Sequence, residues 1–362
     1  MHNTQALHDL GQSLWLDNIT RSLLDDGTLA RYIGQSNITG LTSNPTLFEH
    51  AIGQSNAYDK DIARMASAGP SGEALFFALA LDDLRRAADL FRPVFNATGG
   101  VDGWVSLEVS PLLAHDAQKT IAAARHLHAL ADRPNLYIKI PGTPEGVVAI
   151  EESIFAGVPI NVTLLFSCAQ YQAAAAAYLR GIERRMAAGL SPQVSSVASL
   201  FVSRWDVAAN PDLPAPLHNQ LGIAVAAQTY QAYRALLASA RWQKLAQAGA
   251  RVQRLLWAST GTKDPAAPDT LYIEALAAPE TINTIPEKTL AAFADHGQVQ
   301  PRLSDDARAA NATLEACRQA GIDTEALAQR LQREGAQAFS KSWKSLLQNV
   351  ADKSQALSKA AP

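Results

Sequence analysis

A single lysine stands inside an apolar run of the sequence. Lys139 is flanked by Tyr137, Ile138 and Ile140 in a stretch that is typical of a buried strand. Lysine almost never lies fully buried unless a partner holds it there. Burial disfavours a charged ammonium group and so favours the free amine that attacks a carbonyl. The stretch therefore predicts either a structural ion pair or an amine that forms a Schiff base.

Two carboxylates stand in similar surroundings. Asp17 lies in SLWLDN and Glu108 in VSLEVS, and these are the acids placed inside strand-like apolar runs. Apolar surroundings raise carboxyl pKa values, which suits groups that both donate and accept protons. Schiff-base chemistry needs such groups, because protons must leave the carbinolamine and the substrate hydroxyl around C–C cleavage. The alternative is that Lys139 pairs with one of these acids only to hold the fold together.

Short apolar runs alternate with longer helix-like segments along the chain. This alternation indicates parallel βα units, and eight strands in a chain of 362 residues favour an α/β fold of the (β/α)8 TIM barrel type over an open sheet. The predicted strands cover residues 13–18, 38–43, 103–109, 136–142, 159–166, 195–203, 252–259 and 281–286.

Helix-like segments fill the connections between these strands. The predicted helices include residues 72–92, 146–157, 168–189 and 218–249, with additional helices between strands two and three and after strand six. The chain after residue 304 has a wholly helical pattern. We expect one barrel domain over residues 1–362, with residues 304–362 forming a helical C-terminal cap within the same domain.

Polar side chains recur late in the predicted strands. A barrel enzyme carries its catalytic groups at the C-terminal ends of the strands, and a buried polar group is costly without a partner. Further along, Arg204 follows the sixth strand and with Ser199 could hold a phosphate; the alternative is a surface ion pair of Arg204 with Asp206. The polar residues of the runs are Asp17, Asn18, Thr42, Ser43, Asn44, Glu108, Lys139, Asn161, Thr163, Ser199 and Ser259.

Composition excludes several classes of function. The net charge of −3 and the pI near 6.2 give no basic footprint for nucleic acid. The sequence contains no apolar run of membrane-spanning length and no secretory signal, so we expect a cytoplasmic protein with Cys168 and Cys317 as reduced thiols. The histidine spacing predicts no metal site, and PGTPEG and STGTK match no nucleotide-binding fingerprint.

Seven motifs in order along the chain carry a resemblance to a known family. They are LWLDN, GLTSNPTLF, VSLEVS, YIKIPGTPEG, PINVTLLFS, SVASLFVSRWD and NTIPEKTL, between about residue 13 and residue 297. Together they resemble the transaldolases, in particular the longer bacterial type, within the class I aldolase superfamily. The resemblance implies a transferase that moves a dihydroxyacetone unit from sedoheptulose 7-phosphate to glyceraldehyde 3-phosphate. The products would be erythrose 4-phosphate and fructose 6-phosphate, in the pentose phosphate pathway.

The resemblance also implies roles for individual residues. Lys139 matches the lysine that forms the imine, so no separate cofactor is expected. Asp17 matches the carboxylate that handles the substrate hydroxyl proton. Glu108 matches the glutamate that works through an ordered water, and Thr163 the threonine that helps to hold that water. The implied substrate-binding residues are Asn44, Thr42, Asn161, Ser199, Arg204 and Phe201.

Three other functions stay open at this point. A fructose-6-phosphate aldolase-type enzyme would use a similar barrel and release free dihydroxyacetone. A glycoside hydrolase could use Asp17 and Glu108 as its carboxylate pair, although Lys139 would then have no role. A non-catalytic sugar-phosphate binder is the third. The sequence leaves open the acceptor preference, regulation, homo-oligomer formation, whether the C-terminal helices gate the site, and whether Ser259 or Lys263 contributes to phosphate binding.

Overall fold

Eight parallel strands form the centre of the protein in the part of the chain that the structure describes. The structure is a computed structural model, and it describes residues 3–67, 69–300, 303 and 306–360. The strands are β1 (Ser13–Leu16), β2 (Ile38–Leu41), β3 (Val105–Glu108), β4 (Leu136–Pro141), β5 (Ile160–Leu165), β6 (Ser196–Phe201), β7 (Gln253–Ala258) and β8 (Thr281–Ile285). All eight predicted strands are confirmed, with ends that differ by at most two residues.

The strands are arranged as a barrel. Their order is β2-β1-β8-β7-β6-β5-β4-β3, and all the pairings are parallel. A short parallel bridge between Gly40 and Trp104 joins β2 to β3, where Leu41 N donates to the Trp104 carbonyl at 2.9 Å. This bridge brings the two edge strands together, and the predicted (β/α)8 TIM barrel is confirmed.

Helices surround the barrel on the outside. They are α1 (Asn3–Asp9), α2 (Arg21–Asp25), α3 (Thr28–Gln35), α4 (Pro45–Gly53), α5 (Asp59–Ser67), α6 (Gly72–Ala97), α7 (Ala117–Ala131), α8 (Pro144–Phe155), α9 (Cys168–Ala187), α10 (Ser203–Ala209), α11 (Leu221–Ala238), α12 (Ala240–Gln247), α13 (Leu271–Ala275), α14 (Glu287–His296), α15 (Arg308–Gln319) and α16 (Thr324–Ala360). Short 3₁₀ turns cover Pro111–Leu113, Asn210–Asp212 and Ala215–Leu217.

Two helical predictions need correction. The predicted helix over 218–249 is two helices, because Ser239 takes an extended conformation with ψ 144° and its side chain caps α12 by accepting from Trp242 N. The C-terminal segment is not wholly helical, since α15 and α16 are separated by a turn in which Gly321 has φ +100°. The predicted cap boundaries at residues 304 and 362 lie outside the described residues.

The pleat of the strands divides their side chains between two faces. On β4, Ile138 and Ile140 pack against the surrounding helices, whereas Tyr137 belongs to a separate cluster inside the barrel. Side chains on a strand alternate between faces, so Lys139 shares the inner face with Tyr137. Tyr137 stacks on Trp104 at 4.0 Å between ring centroids and on Trp15 at 6.2 Å. These three rings fill the barrel interior below the level of Lys139.

The long C-terminal helix α16 lies across several elements. It contacts α4, α5 and α6 on one side and α10 and β5 on another. Its anchor is Trp343, which is 1% exposed and packs edge-on against Phe76 at 5.0 Å. Within the described residues, no helix is both long and apolar enough to cross a membrane.

Candidate active site

The segment after β4 explains how Lys139 is positioned. Thr143 ends the strand connection and caps α8, accepting a hydrogen bond from Gly146 N at 3.0 Å, while Pro144 occupies the first helical turn. Gly146 is required here, because a Cβ at this position would lie 1.8 Å from the Pro141 carbonyl oxygen. The PGTPEG motif is therefore a tight strand-to-helix turn, and it holds the C-terminal end of β4 firmly in place.

Lys139 is buried and has two polar partners. Its Nζ lies 3.0 Å from Oε2 of Glu108, and it donates to the Ser43 carbonyl oxygen at 2.8 Å. The lysine is 5% exposed, and Glu108 is equally buried. Residues 108 and 139 are direct register partners on β3 and β4, so the sheet itself places the carboxylate beside the amine. Of the two acids that the sequence offered as structural partners of Lys139, Glu108 forms the ion pair and Asp17 does not.

Asp17 reaches the same space from the end of β1. Its Oδ1 accepts a hydrogen bond from the Thr42 hydroxyl at 2.8 Å, and Thr42 in turn lies 2.7 Å from the hydroxyl of Thr284. The backbone supports this arrangement, since Asp17 N donates to the Ile285 carbonyl and Thr42 N to the Leu16 carbonyl, both at 2.8 Å. Three neighbouring strands therefore meet at Asp17.

Burial shifts the pKa of both carboxyl groups upward. For Asp17, desolvation raises the pKa, and the nearby Lys139 charge, the Thr42 hydrogen bond and the Lys263 charge oppose this shift without cancelling it. For Glu108, desolvation again raises the pKa, against the attraction of Lys139. Such carboxyl groups hold protons more tightly than exposed acids, which is the property that proton transfer near neutral pH requires.

The amide of Asn161 lies behind the lysine and joins two hydroxyl groups. Asn161 is the register partner of Lys139 on β5. Its Oδ1 accepts from Ser199 Oγ at 2.7 Å, and its Nδ2 donates to Ser106 Oγ at 3.1 Å. The Ser199 hydroxyl proton is therefore directed at Asn161 in this structure, and donation to an incoming anion requires this hydroxyl group to rotate.

Thr163 differs from these neighbours. Thr163 is fully buried, yet its hydroxyl oxygen has no hydrogen-bond partner among the described residues. Buried hydroxyl groups are normally paired with protein or ordered water, so an unpaired one that lines a cavity indicates a place for a water or a ligand atom.

A cavity of about 130 Å³ brings most of the predicted residues together. This volume suits a small polar molecule, because pockets for drug-sized ligands are larger, at roughly 300–1,000 Å³. Asn44 lies at its rim, where its Oδ1 caps α4 by accepting from Leu47 N at 3.1 Å. Glu108 and Asn161 stand behind the wall, in contact with wall residues. The predicted residues in the wall are Asp17, Thr42, Asn44, Lys139, Thr163, Ser199, Phe201, Arg204, Ser259 and Lys263.

Arg204 presents a cation to this cavity. Its guanidinium lies 5.2 Å from the centroid of Phe201 and 5.8 Å from that of Phe339. Burial lowers its pKa, and the charges of Glu108 and Glu334 oppose the shift. The alternative ion pair with Asp206 is wrong, because Asp206 accepts instead from Tyr272 Oη at 2.7 Å and from Gly222 N at 3.1 Å.

No acceptor within the described residues forms a hydrogen bond or ion pair with Arg204. A half-buried guanidinium without a protein acceptor, facing a cavity, is suited to an anion that arrives with the substrate.

Strained backbone accompanies the site. Leu164, next to Thr163, has φ 56°, and Ser259 has φ 55°. A positive φ is uncommon for residues other than glycine and is a clear outlier for a bulky side chain such as leucine. Gln332 of α16 supports this irregular end of β5 by donating from Nε2 to the carbonyls of Leu164 and Gly142, both at 2.9 Å.

Sequence reasoning missed several residues that contribute to the site, among them Thr284, Gln332 and Phe339. Thr284 lies in a predicted strand and could have been found by the same rule as the others, because it is a polar residue inside the apolar run TINTIP. Phe339 and Gln332 carry no such signal. They stand on a helix about 200 residues from Lys139 in the sequence, and only tertiary packing brings that helix to the barrel mouth. Among the described residues, no cluster of three or more His, Cys, Asp or Glu side chains could hold a metal ion.

Comparisons with known proteins agree with this geometry. The family model described as Transaldolase/Fructose-6-phosphate aldolase matches residues 14–350, which includes most of α16. A protein named Transaldolase from Thiobacillus denitrificans is 45% identical over 358 residues, which cover 97% of this chain and 100% of that protein. Another from Thermobifida fusca is 46% identical over 359 residues, covering 96% of this chain and 97% of that protein.

A third relative extends the same result. The protein named Transaldolase 1 from Streptomyces avermitilis is 43% identical over 360 residues, covering 97% of this chain and 95% of that protein. The similarity therefore extends over nearly the whole length of each protein, the C-terminal helices included. The resemblance inferred from the seven motifs is confirmed, and the chain belongs to the transaldolase/fructose-6-phosphate aldolase family.

Proposed function

We propose that this chain is a transaldolase that transfers a dihydroxyacetone unit from sedoheptulose 7-phosphate to glyceraldehyde 3-phosphate, through a Schiff base on Lys139. The names of the three relatives favour this function over the aldolase activity that the family description also includes. The observation that carries the proposal is the placement of Lys139, a buried amine in the wall of the cavity with a buried carboxylate 3.0 Å away.

Glu108 and Thr163 are assigned to the formation of the imine. The carbinolamine must lose water, and a carboxyl group with a raised pKa can give and take the protons for this step. The unpaired Thr163 hydroxyl is suited to hold the water through which Glu108 acts. The ion pair between Lys139 and Glu108 supports this assignment, because proton transfer between the two groups produces the neutral amine that attacks the ketone.

Asp17 is assigned to the hydroxyl proton of the sugar. When the C–C bond breaks, the iminium accepts the electron pair while a base removes the proton of the hydroxyl that becomes the aldehyde. When the bond forms to the second aldehyde, the same group returns the proton. Asp17 lines the cavity at the end of β1, two strands around the barrel from Glu108 on β3, and burial raises its pKa. The amides of Asn44 and Asn161, with Thr42, are assigned to the hydroxyl groups of the bound three-carbon unit.

Arg204 is assigned to the phosphate, together with Ser199 and with Ser259 or Lys263 at the same cavity. A phosphate at this end would orient the donor and the acceptor by one common anchor, at a fixed distance from Lys139. Phe201 lines the pocket beside Arg204 and keeps its guanidinium in place. No separate cofactor, a cytoplasmic location and one barrel domain, with α15 and α16 in its C-terminal cap over residues 304–362, complete the proposal.

The alternative assignments are less well supported. A glycoside hydrolase would need only the two carboxylates, and this leaves the buried Lys139 and the unpaired Arg204 without a use. A non-catalytic binder would not need carboxyl groups with raised pKa values at the bound sugar.

The experiment is borohydride reduction in the presence of fructose 6-phosphate, followed by peptide mass mapping. The expected result is a dihydroxyacetone-derived adduct on Lys139 in the wild type and none in Lys139→Met. As a control, Lys344→Met changes an exposed lysine and should leave the adduct unchanged. Transfer to an acceptor aldehyde, measured against release of free dihydroxyacetone, separates transaldolase from aldolase activity. An unmodified Lys139 with full turnover would exclude the Schiff base.

A further inference from the structure

Thr284 on β8 forms the end of a chain of hydroxyl groups that leads to Asp17. Its Oγ1 lies 2.7 Å from Thr42 Oγ1, and Thr42 donates to Asp17 Oδ1 at 2.8 Å. Both threonines are 3% exposed, and all three residues line the cavity. This chain of hydroxyl groups runs from β8 past the end of β1 to the end of β2, so it joins the three strands that meet at Asp17.

The direction of each hydrogen bond follows from the number of protons. A threonine hydroxyl has one hydrogen, and Thr42 gives it to Asp17 when the carboxylate is ionised. The contact between the two threonines can then be made only if Thr284 donates to Thr42. A hydroxyl that accepts a hydrogen bond becomes a better donor, so Thr284 strengthens the bond from Thr42 to Asp17 and fixes its direction.

The same chain can also serve the protonated carboxyl group. Once Asp17 has taken a proton from the substrate hydroxyl, its O–H can donate to Thr42, and the Thr42 hydrogen can turn to Thr284. The Thr284 hydrogen then turns towards the cavity. No bond is formed or broken within the chain, because the two hydroxyl groups only rotate, and the proton on Asp17 leaves with the next aldehyde oxygen.

We propose that Thr284 is a positioning residue for the acid–base group Asp17, acting through Thr42 and keeping Asp17 hydrogen-bonded in both of its protonation states. The backbone around Thr284 is rigid, since Thr260 Oγ1 donates to its carbonyl at 3.0 Å and residue 284 is the register partner of Trp15 on β1. The inference deepens the proposed function and depends on the role of Asp17 in C–C cleavage.

The test compares Thr284→Val, which removes the hydroxyl at nearly constant volume, with Thr284→Ser, which keeps it. We expect kcat of Thr284→Val to fall roughly 3- to 10-fold, with KM for the donor changed less than about twofold, because a single cooperative hydrogen bond is lost. Removing a donor that stabilises the carboxylate raises the apparent pKa of the acidic limb of the kcat profile, and Thr284→Ser should restore both the rate and the profile.

A second readout separates cleavage from imine formation. Borohydride trapping with fructose 6-phosphate gives a six-carbon phosphate adduct before C–C cleavage and a three-carbon adduct after it. Thr284→Val should keep total trapping at Lys139 but increase the six-carbon share. The control is Thr39→Val, which removes a buried hydroxyl on β2 whose contact, with the Leu14 carbonyl, is 3.5 Å long. This variant should behave as the wild type.

The outcomes distinguish this inference from the function on which it depends. The absence of any adduct in the wild type would remove the Schiff base, and the role of Thr284 with it. Normal wild-type trapping combined with an unchanged rate, pH profile and adduct ratio in Thr284→Val would overturn the role of Thr284 alone. That role is also overturned if Thr284→Ser is as impaired as Thr284→Val, or if Thr39→Val loses activity to the same extent.

Discussion

Three ionisable side chains meet at this site: Lys139 and Glu108 are buried, and Asp17 is half-buried in the wall of the cavity. Lys139 and Glu108 compensate each other as an ion pair, and breaking a buried pair by removing one partner is costly. Asp17 is not within ion-pair distance of Lys139, and its hydrogen bond from Thr42 does not cancel its desolvation. At the scale of the residue, the reactivity of the site therefore comes from ionisable groups whose desolvation the fold compensates only in part.

Glu108→Gln tests the division of labour between the two carboxylates. The amide cannot exchange protons with the amine or the water, so we expect the trapped adduct on Lys139 to build up about 10²-fold more slowly, within the usual range for the loss of a general acid–base group. Single-turnover trapping with fructose 6-phosphate measures this rate.

The matched control for this substitution is Glu145→Gln. Glu145 stands on α8 next to His115, outside the cavity, and its loss should not alter the rate of adduct formation. Adduct formation at the wild-type rate in Glu108→Gln would remove Glu108 from its assigned step.

At the scale of the element, α16 is part of the site although it comes last in the sequence. One part of the helix carries Gln332 and Phe339 to the barrel mouth, where they contact the end of β5 at Leu164 and the guanidinium of Arg204. Gly335 lies between them, and a Cβ there would stand 3.2 Å from Arg204 Nη1. Further along the helix, Trp343 anchors it against α6. Helix α16 therefore connects the packing of Trp343 on the outside of the barrel to the end of the cavity at which Arg204 lies.

Trp343→Ala tests this link. Truncation of a buried tryptophan costs about 3–5 kcal/mol, and α16 is the element that loses its anchor. We expect a lower free energy of unfolding, cleavage within α16 in limited proteolysis, and a higher KM for phosphorylated donors, because Phe339 and Gln332 lose their fixed position. Lys344→Ala, at the exposed neighbouring position, should match the wild type. Wild-type stability and an unchanged cleavage pattern in Trp343→Ala would show that the helix docks by other contacts.

At the scale of the whole molecule, the site reduces stability in exchange for reactivity. Burial raises the pKa of Asp17 above its ordinary value of 3.8, so the native state binds this proton more tightly than the unfolded state does. Protonated Asp17 contributes stability at pH values below the ordinary pKa of the group. This contribution is lost as the pH rises through the higher pKa that Asp17 has in the native state. Once the pH is above this native pKa, the molecule carries the cost of holding an ionised carboxylate in a partly desolvated position.

Asp17→Asn should remove this cost together with the activity. We expect the variant to unfold at a temperature higher by roughly 1–3 °C at pH 7, since about 1 kcal/mol corresponds to a shift of this size in a large domain. The difference should shrink as pH is lowered towards the ordinary carboxyl range, because the wild-type carboxyl group then becomes protonated as well. Thermal unfolding followed by circular dichroism between pH 5 and pH 8 measures it, and a variant less stable than the wild type at pH 7 contradicts the argument.

Much of this protein was accessible from its sequence. The alternation of apolar strands and helices identified all eight strands, because the period of two and the length of each run are local properties. The same rule located Lys139, Glu108, Asp17 and Thr163, since a polar residue inside an apolar strand is visible without knowing its neighbours. The motifs added the family, which the comparisons confirmed.

Only the tertiary structure decided which groups touch. The register of β3 and β4 pairs Glu108 rather than Asp17 with Lys139, and a shift of one residue would have turned the carboxylate to the other face. The contacts of Phe339, Gln332 and Thr284 follow from packing between segments far apart in the chain. Local sequence determines the conformation and polarity of each segment, whereas the partners of a buried charge are set by how those segments close around it.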